Sequence, residues 1–120
     1  MELRDKVIVV TGGASGIGRA LCLRFAAEAP TGIVVADLNG AGAEATAEAV
    51  GRAGAAAMAV PTDVGQAGDI AALVRAAEDR FGPVDLFCSN AGIAVGGGPE
   101  APDEQWQKIW DVNLMAHVWA

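Results

Sequence analysis

The sequence of 120 residues contains no tyrosine, only two cysteines and a single histidine, His117. Cys22 and Cys88 lie far apart and lack the spacing of metal ligands, so we predict neither a disulfide framework nor a metal site. Basic residues are also scarce, because 8 Lys and Arg stand against 15 Asp and Glu and leave a formal charge of -7. This balance opposes binding to nucleic acid or to an anionic membrane surface.

Long apolar runs are missing as well. The most apolar stretch, near Val7 to Val10, is too short to span a bilayer, and the sequence does not begin with a secretory signal pattern. We therefore expect a cytoplasmic protein without a membrane segment. The length fits one domain, and a content of 52% hydrophobic and 19% charged residues is typical of a globular chain with one core.

Apolar runs and amphipathic stretches alternate along the chain. The β-branched run from Lys6 to Thr11 predicts a central strand that is covered on both faces. Further strands are predicted at Ile33 to Ala36, Ala56 to Val60 and Val84 to Cys88, and helices after Gly18, from about Ala41 to Ala53 and from about Gln66 to Phe81. Such alternation calls for right-handed βαβ crossovers and a parallel sheet with helices on both faces. The predicted fold class is α/β.

A loop and one more helix follow the fourth strand. The segment from Gly92 to Pro102 is rich in glycine and proline and is predicted to be a loop. Helical spacing then predicts a helix that is kinked near Val112 and buries one face, which carries Trp106, Ile109, Trp110, Asn113 and Leu114. No stop signal precedes Ala120, so we expect the sequence to be the N-terminal part of a longer protein.

The segment Thr11–Gly18 follows the first strand and reads Thr-Gly-Gly-Ala-Ser-Gly-Ile-Gly. A strand, a glycine turn and a helix in that order place free N–H groups and the positive end of a helix dipole where a phosphate can bind. Gly12 permits the tight turn, Gly16 lets the backbone approach a pyrophosphate, and Gly18 brings the helix close to the strand. We predict a dinucleotide site, with a turn that holds no ligand as the alternative.

Asp37 ends the second predicted strand, 19 residues after Gly18. At about this distance an acidic residue of a dinucleotide-binding fold accepts hydrogen bonds from the adenosine ribose. Its carboxylate would repel a 2′-phosphate, and the next residue, Leu38, supplies no cation, so NAD is predicted over NADP. The alternatives are a helix cap and a solvated acid.

With these residues the sequence resembles the N-terminal part of a short-chain dehydrogenase/reductase. The spacing T-G-x-x-x-G-x-G of Thr11–Gly18 is that family's version of the glycine turn, and the resemblance covers essentially all 120 residues. It implies an NAD(P)-binding Rossmann domain over residues 1–120 with a doubly wound sheet of about four strands in the order 3-2-1-4. In the turn it implies cofactor contacts by Gly12, Ser15, Gly16, Ile17 and Gly18.

Three further motifs carry the resemblance. Asp63 and Val64 match the pair that meets the adenine ring, and Asn113 matches the asparagine of the catalytic tetrad. The motif that lines the cofactor channel is matched by Asn90, Ala91 and Gly92. Structural alternatives remain for these positions: Asp63 as a helix cap, Asn90 as a turn residue and Asn113 as an amide satisfied in the core.

The resemblance implies hydride transfer between nicotinamide and an alcohol or carbonyl substrate, in a parent protein that forms a homo-oligomer. In the family a tyrosine donates the proton, a lysine four residues later lowers its pKa, and a serine polarises the substrate oxygen. With no tyrosine the chain lacks this motif, and we predict that it is inactive by itself. The alternatives are a non-catalytic dinucleotide-binding module and a methyltransferase that binds S-adenosylmethionine.

Overall fold

The computed structural model describes residues 1–120 and contains one parallel sheet of four strands. The strands are β1 (Val7–Thr11), β2 (Gly32–Asp37), β3 (Ala57–Pro61) and β4 (Leu86–Cys88). They lie in the order β3-β2-β1-β4, and every neighbouring pair is parallel. The α/β fold and the strand order that the sequence predicts are confirmed.

Three helices connect the strands: α1 (Gly16–Ala26), α2 (Gly40–Arg52) and α3 (Ala67–Phe81). Successive strand residues point to opposite faces of the sheet, and each face has its own apolar layer. The layer under α1 and α2 includes Ile8, Val10, Ile33, Val35, Cys22 and Val50. The layer under α3 includes Val9, Val34, Leu73 and Ala77. Because β1 is covered on both faces, all five of its residues are buried.

The C-terminal helix is interrupted. It consists of α4 (Asp103–Trp110) and α5 (Ala116–Trp119), joined by a π-helical turn over Asp111–Met115. The kink expected near Val112 is this widened turn. No helix of the structure is both long enough and apolar enough to cross a membrane.

The face of this helix that the sequence predicts to be buried is exposed, so that expectation was wrong. Trp106 and Trp110 are 50% and 54% exposed, and Asn113 is exposed as well. Val112 and Ala116 on another face are buried instead, together with Val64 and Ile70 of the preceding segments. Periodic spacing identifies residues that share a face, but the neighbouring elements decide which face they cover.

Candidate cofactor-binding site

A cleft lies at the carboxyl ends of the four strands, where open parallel sheets bind their ligands. We call it the strand-end cleft. Its lining includes six residues that the sequence predicts to bind the cofactor: Gly12, Asp37, Asp63, Val64, Ala91 and Gly92. The other lining residues are Leu38, Thr62, Ile93, Lys108 and Val112. Residues from all four loops that follow the strands therefore meet in one place.

The remaining predicted residues lie around this cleft. Ser15, Gly16 and Ile17 are exposed at the start of α1, whereas Gly18 is buried against the turn. Asn90 and Asn113 border a neighbouring open cavity, which Gly92 and Ala91 also line.

Backbone geometry explains why the turn needs its glycines. Gly12 and Gly16 have φ angles of +70° and +53°, which side-chain-bearing residues rarely adopt. A Cβ atom on Gly18 would lie 2.1 Å from the carbonyl oxygen of Gly12, so the helix packs on the turn only because this side chain is absent. A Cβ atom on Gly16 would meet nothing within 4 Å, which leaves open space above that part of the backbone.

The start of α1 presents hydrogen-bond donors to this open space. The N–H groups of Gly16, Ile17 and Gly18 have no acceptor within the protein, as is usual for the first turn of a helix. Ser15 is the N-cap residue, but its hydroxyl makes no capping hydrogen bond. Free N–H groups at the positive end of a helix dipole suit a phosphate group.

The carboxylate of Asp37 is held in place from two sides. One oxygen accepts a hydrogen bond from the N–H of Ala14 at 3.0 Å, and the other accepts from the N–H of Asn39 at 2.9 Å. Asn39, and not Asp37, caps α2, since its side chain accepts from the N–H of Gly42. Each carboxylate oxygen retains a further lone pair for a ligand hydroxyl. The helix-cap alternative for Asp37 is therefore wrong.

Asp63 closes the turn before α3. Its side chain accepts from the N–H of Gly65 at 2.9 Å, and its own N–H donates to the carboxylate of Asp69 at 2.9 Å. The N-cap residue of α3 is Gln66, so Asp63 shapes the turn and does not cap the helix. Val64 is buried beside it and packs in the same cluster as Val112.

Thr11 has a role that the sequence analysis did not assign. Its buried hydroxyl accepts hydrogen bonds from the N–H groups of Asn90 at 3.0 Å and Ala91 at 3.1 Å. The side chain of Asn90 donates to the carbonyl oxygen of Thr11 at 3.0 Å. These bonds tie the end of β1 to the segment after β4. The only sign of this role in the sequence is that a threonine begins the glycine motif.

Asn113 pairs with the backbone of a single loop residue. Its Oδ1 accepts from the N–H of Ile93 and its Nδ2 donates to the carbonyl oxygen of Ile93, both at 2.8 Å. The amide is thus satisfied at an exposed position, and the expectation of a buried Asn113 was wrong. Its catalytic role stays a prediction.

The structure adds two residues that spacing could not reveal. Nδ1 of His117 lies 2.6 Å from the hydroxyl oxygen of Ser89, a contact between residues 28 positions apart. Lys108 brings a cation to the strand-end cleft. Neither residue belongs to a pattern in the sequence, because both contacts depend on how the C-terminal helix lies against the sheet.

Burial disfavours the thiolate form of both cysteines. Desolvation by burial raises the pKa of Cys22 from 9.0 to about 12, and it raises the pKa of Cys88 as well. Neutral thiols are poor nucleophiles and poor metal ligands. No three His, Cys, Asp or Glu side chains form a cluster that could hold a metal ion.

The parallel sheet, its order and the glycine turn at the strand-end cleft define an α/β protein of the dinucleotide-binding type. A sequence model described as short chain dehydrogenase matches residues 6–120. The chain belongs to this family. It superposes with a TM-score of 0.94 and 34% identity on the crystal structure of a short chain dehydrogenase/reductase from Burkholderia phymatum in complex with NAD. That match covers 99% of this chain and 42% of the other.

Curated relatives agree with this family. The chain is 40% identical to 3beta-hydroxysteroid dehydrogenase 1 of Eggerthella lenta, a match that covers 94% of this chain and 44% of the relative. It is 36% identical to galactitol 2-dehydrogenase of Agrobacterium fabrum, over 95% of this chain and 43% of the relative. The chain therefore spans less than half the length of the relatives that it matches.

Proposed function

We propose that this chain is the cofactor-binding part of an NAD(P)-dependent oxidoreductase. The whole protein would transfer a hydride between nicotinamide and an alcohol or carbonyl substrate. The observation that carries the proposal is the start of α1, where the free N–H groups of Gly16, Ile17 and Gly18 lie beside a cleft lined by Asp37. A pyrophosphate bound at these N–H groups would place an adenosine ribose near the carboxylate.

Within this site, NAD is the proposed cofactor in preference to NADP. The N–H groups of Ala14 and Asn39 fix the Asp37 carboxylate at the end of β2. A ribose 2′-hydroxyl can donate to it, whereas a 2′-phosphate would meet like charge. Lys108 lines the same cleft and offers a positive charge, so the preference has to be measured with both cofactors.

The contacts of the other site residues support their proposed roles. Asp63 and Val64 line the cleft beside Asp37 and would flank the adenine ring. Asn90, Ala91 and Gly92 would line the channel toward the nicotinamide. Ala91 and Gly92 line both the strand-end cleft and the cavity that contains Asn113, and Asn90 lines the latter. Asn113 would support the proton relay of the reaction. The proton donor of the family, a Tyr-x-x-x-Lys pair, has no counterpart in these 120 residues.

A second candidate is a dinucleotide-binding module without catalysis, which the glycine turn and the Asp37 carboxylate would serve equally well. Both candidates predict NADH binding, but only the oxidoreductase predicts NAD-dependent oxidation of an alcohol by the protein at its natural length. A methyltransferase would bind S-adenosylmethionine in place of NADH. A binding assay with NADH and S-adenosylmethionine, together with an assay of NAD-dependent alcohol oxidation, therefore distinguishes the oxidoreductase, the non-catalytic module and the methyltransferase.

We also propose that the whole protein forms a homo-oligomer. Four large apolar side chains form an exposed stripe along the C-terminal helix, which we call the tryptophan stripe: Trp106, Trp110, Leu114 and Val118. Exposed apolar stripes of this kind mark protein contacts, and the same stripe on a second copy would cover it. Light scattering measures the molar mass of the protein at its natural length in solution. The mass of a single chain would contradict the proposed homo-oligomer.

The central test of the proposed function is a fluorescence titration of the protein at its natural length with NADH and with S-adenosylmethionine. We expect binding of NADH alone. Gly16→Val should weaken NADH binding at least about 100-fold, because the β-branched side chain would fill the space of the phosphates and strain the positive φ angle.

Gly54→Val is the matched control, since Gly54 has a φ angle of +97° and open space around it, far from the cleft. It imposes similar backbone strain and should leave NADH affinity unchanged. Full NADH affinity in a folded Gly16→Val protein would contradict the proposed phosphate site.

A further inference from the structure

Two side-chain contacts tie the segment after β4 to the C-terminal helix. We call residues Ser89–Ile93 the channel segment. Asn113 holds its carboxyl end through two hydrogen bonds of 2.8 Å to the backbone of Ile93. His117 lies one helical turn further along and contacts the hydroxyl of Ser89 at the amino end, at 2.6 Å. Segment and helix therefore run in opposite directions and are joined at both ends.

The residues between the two contacts are those proposed to line the cofactor channel. Asn90 and Ala91 donate hydrogen bonds to the Thr11 hydroxyl. The amide nitrogen of Asn90 also lies so near the glycine turn that a Cβ atom on Gly12 or Gly18 would come within 2.9 Å or 2.8 Å of it. Any shift of the channel segment thus moves atoms that rest directly on the proposed phosphate site.

Apolar packing and side-chain hydrogen bonds both join this part of the helix to the channel segment. Asn113 and His117 are both exposed, whereas Val112 and Ala116 of the same turns are buried with Val64 and Ile70. Ala91 and Ile93 of the channel segment are partly buried and pack against this cluster. Apolar contacts hold the two elements together but have no preferred direction. The hydrogen bonds to the channel segment are directional, so they determine how the helix is placed along it.

We propose that Ser89 and His117 are positioning residues for dinucleotide binding. Their hydrogen bond sets the placement of the helix along the channel segment, so that Asn113 reaches Ile93 and Asn90 rests on the glycine turn. The hydroxyl of Ser89 can donate to Nδ1 or accept from it, and either arrangement holds the two groups together. The proposal rests on the proposed dinucleotide site, since it assigns these residues an effect on cofactor affinity.

The test compares two substitutions of His117 in the protein at its natural length. His117→Phe keeps a ring but removes the hydrogen bond, whereas His117→Asn keeps a group that can bond to Ser89. Amide hydrogen exchange at Ile93 reports the Asn113 contact, and NADH titration reports the channel. We expect His117→Phe to accelerate exchange at Ile93 and to weaken NADH binding, each about fivefold, as loss of one hydrogen bond implies. With His117→Asn, both the exchange rate at Ile93 and the NADH affinity should stay close to those of the unsubstituted protein.

Gln107→Ala is the matched control, because it removes a hydrogen bond of 2.9 Å, to Asp111, on the same helix but away from the channel segment. It should change neither quantity. The proposal is overturned if His117→Phe leaves NADH affinity unchanged, or if Gln107→Ala weakens NADH binding equally. If the parent protein binds no NADH, the proposed function fails, while faster exchange at Ile93 in His117→Phe would still demonstrate the contact between helix and segment.

Discussion

The first βαβ unit and the C-terminal helix use their apolar residues in opposite ways. In β1 every residue is buried, and in β2 all but Asp37 are buried. In α4 no residue is buried, and two of the three tryptophans of the C-terminal helix, Trp106 and Trp110, face solvent in the tryptophan stripe. Both regions are apolar in sequence, so the difference lies in what surrounds them.

Strand β1 has a strand on each side and a helical layer on each face, whereas α5 has one helical neighbour outside its own helix, α3. An apolar pattern is buried only where the chain supplies a partner for it. A buried strand can therefore be recognised from its own residues, because parallel sheets are covered on both faces. A buried helix face cannot be recognised in this way, because the residues that cover it belong to other elements of the fold.

The largest effect that we expect concerns the residues that lack this cover. Expressed alone, residues 1–120 should self-associate, because the tryptophan stripe and the unpaired edge of β4 both favour association. At about 25 cal/mol per Å², about 400 Å² of uncovered apolar surface corresponds to roughly 10 kcal/mol, comparable to the stability of a whole domain. Analytical ultracentrifugation of residues 1–120 measures the degree of self-association.

The double variant Trp106→Gln/Trp110→Gln should reduce the self-association, since both tryptophans are about half exposed. We also expect residues 1–120 to show no NAD-dependent alcohol oxidation. A chain that stays monomeric would contradict the expected self-association, and NAD-dependent alcohol oxidation by this chain would contradict the expected inactivity.

A second prediction concerns one glycine of the first βαβ unit and one glycine of the loop that leads to the C-terminal helix. Gly18→Ala should destabilise the fold by more than about 3 kcal/mol, because the new Cβ atom would lie 2.1 Å from a backbone oxygen that cannot move aside. Gly98→Ala, in the loop before α4, meets nothing within 4 Å and should change stability by less than about 0.5 kcal/mol. Urea unfolding of both variants measures the difference, and equal losses would contradict our account of the turn.

The sequence predicts the first region more completely than the second. The α/β fold, the glycine turn and the position of Asp37 at the end of β2 follow from local patterns of apolar residues and glycines, whereas the strand order was implied by the family resemblance. The role of Thr11 and the contact between Ser89 and His117 do not, since each joins residues that only the folded chain brings together. The sequence predicts a buried Asn113, and this prediction was wrong because the surroundings of Asn113 also depend on elements that only the folded chain brings together.

A third prediction sharpens the comparison at the cleft, where residues of both regions meet. Asp37→Ser should narrow the preference for NADH over NADPH by at least about tenfold, since it removes a charge that opposes the 2′-phosphate. Lys108→Gln removes the positive charge that the C-terminal helix brings to the same cleft. It should weaken NADPH binding more than NADH binding. Titrations with both cofactors measure the ratio. If Asp37→Ser leaves both affinities unchanged, Asp37 does not contact the ribose.

The smallest effect concerns the two thiols, Cys22 in the first βαβ unit and Cys88 in the edge strand β4. Burial raises the pKa of Cys22 to about 12 in the folded protein, from 9.0 when it is unperturbed. Below pH 9 the thiol is neutral in both the folded and the unfolded state and contributes nothing to the pH dependence of stability. Above pH 9 the unfolded state ionises first and binds fewer protons than the folded state, so the free energy of unfolding falls as the pH rises toward 12.

At pH 10 this loss should amount to less than about 1.4 kcal/mol, the value of one pH unit for one proton. Urea unfolding at pH 8 and pH 10 measures it, and Cys22→Ala should remove this part of the pH dependence. Cys88→Ala should change the slope less, because Cys88 lies at the partly open edge strand, whereas Cys22 is fully buried under the sheet. Equal slopes in the parent protein and in Cys22→Ala would show that the burial of Cys22 does not control its ionisation.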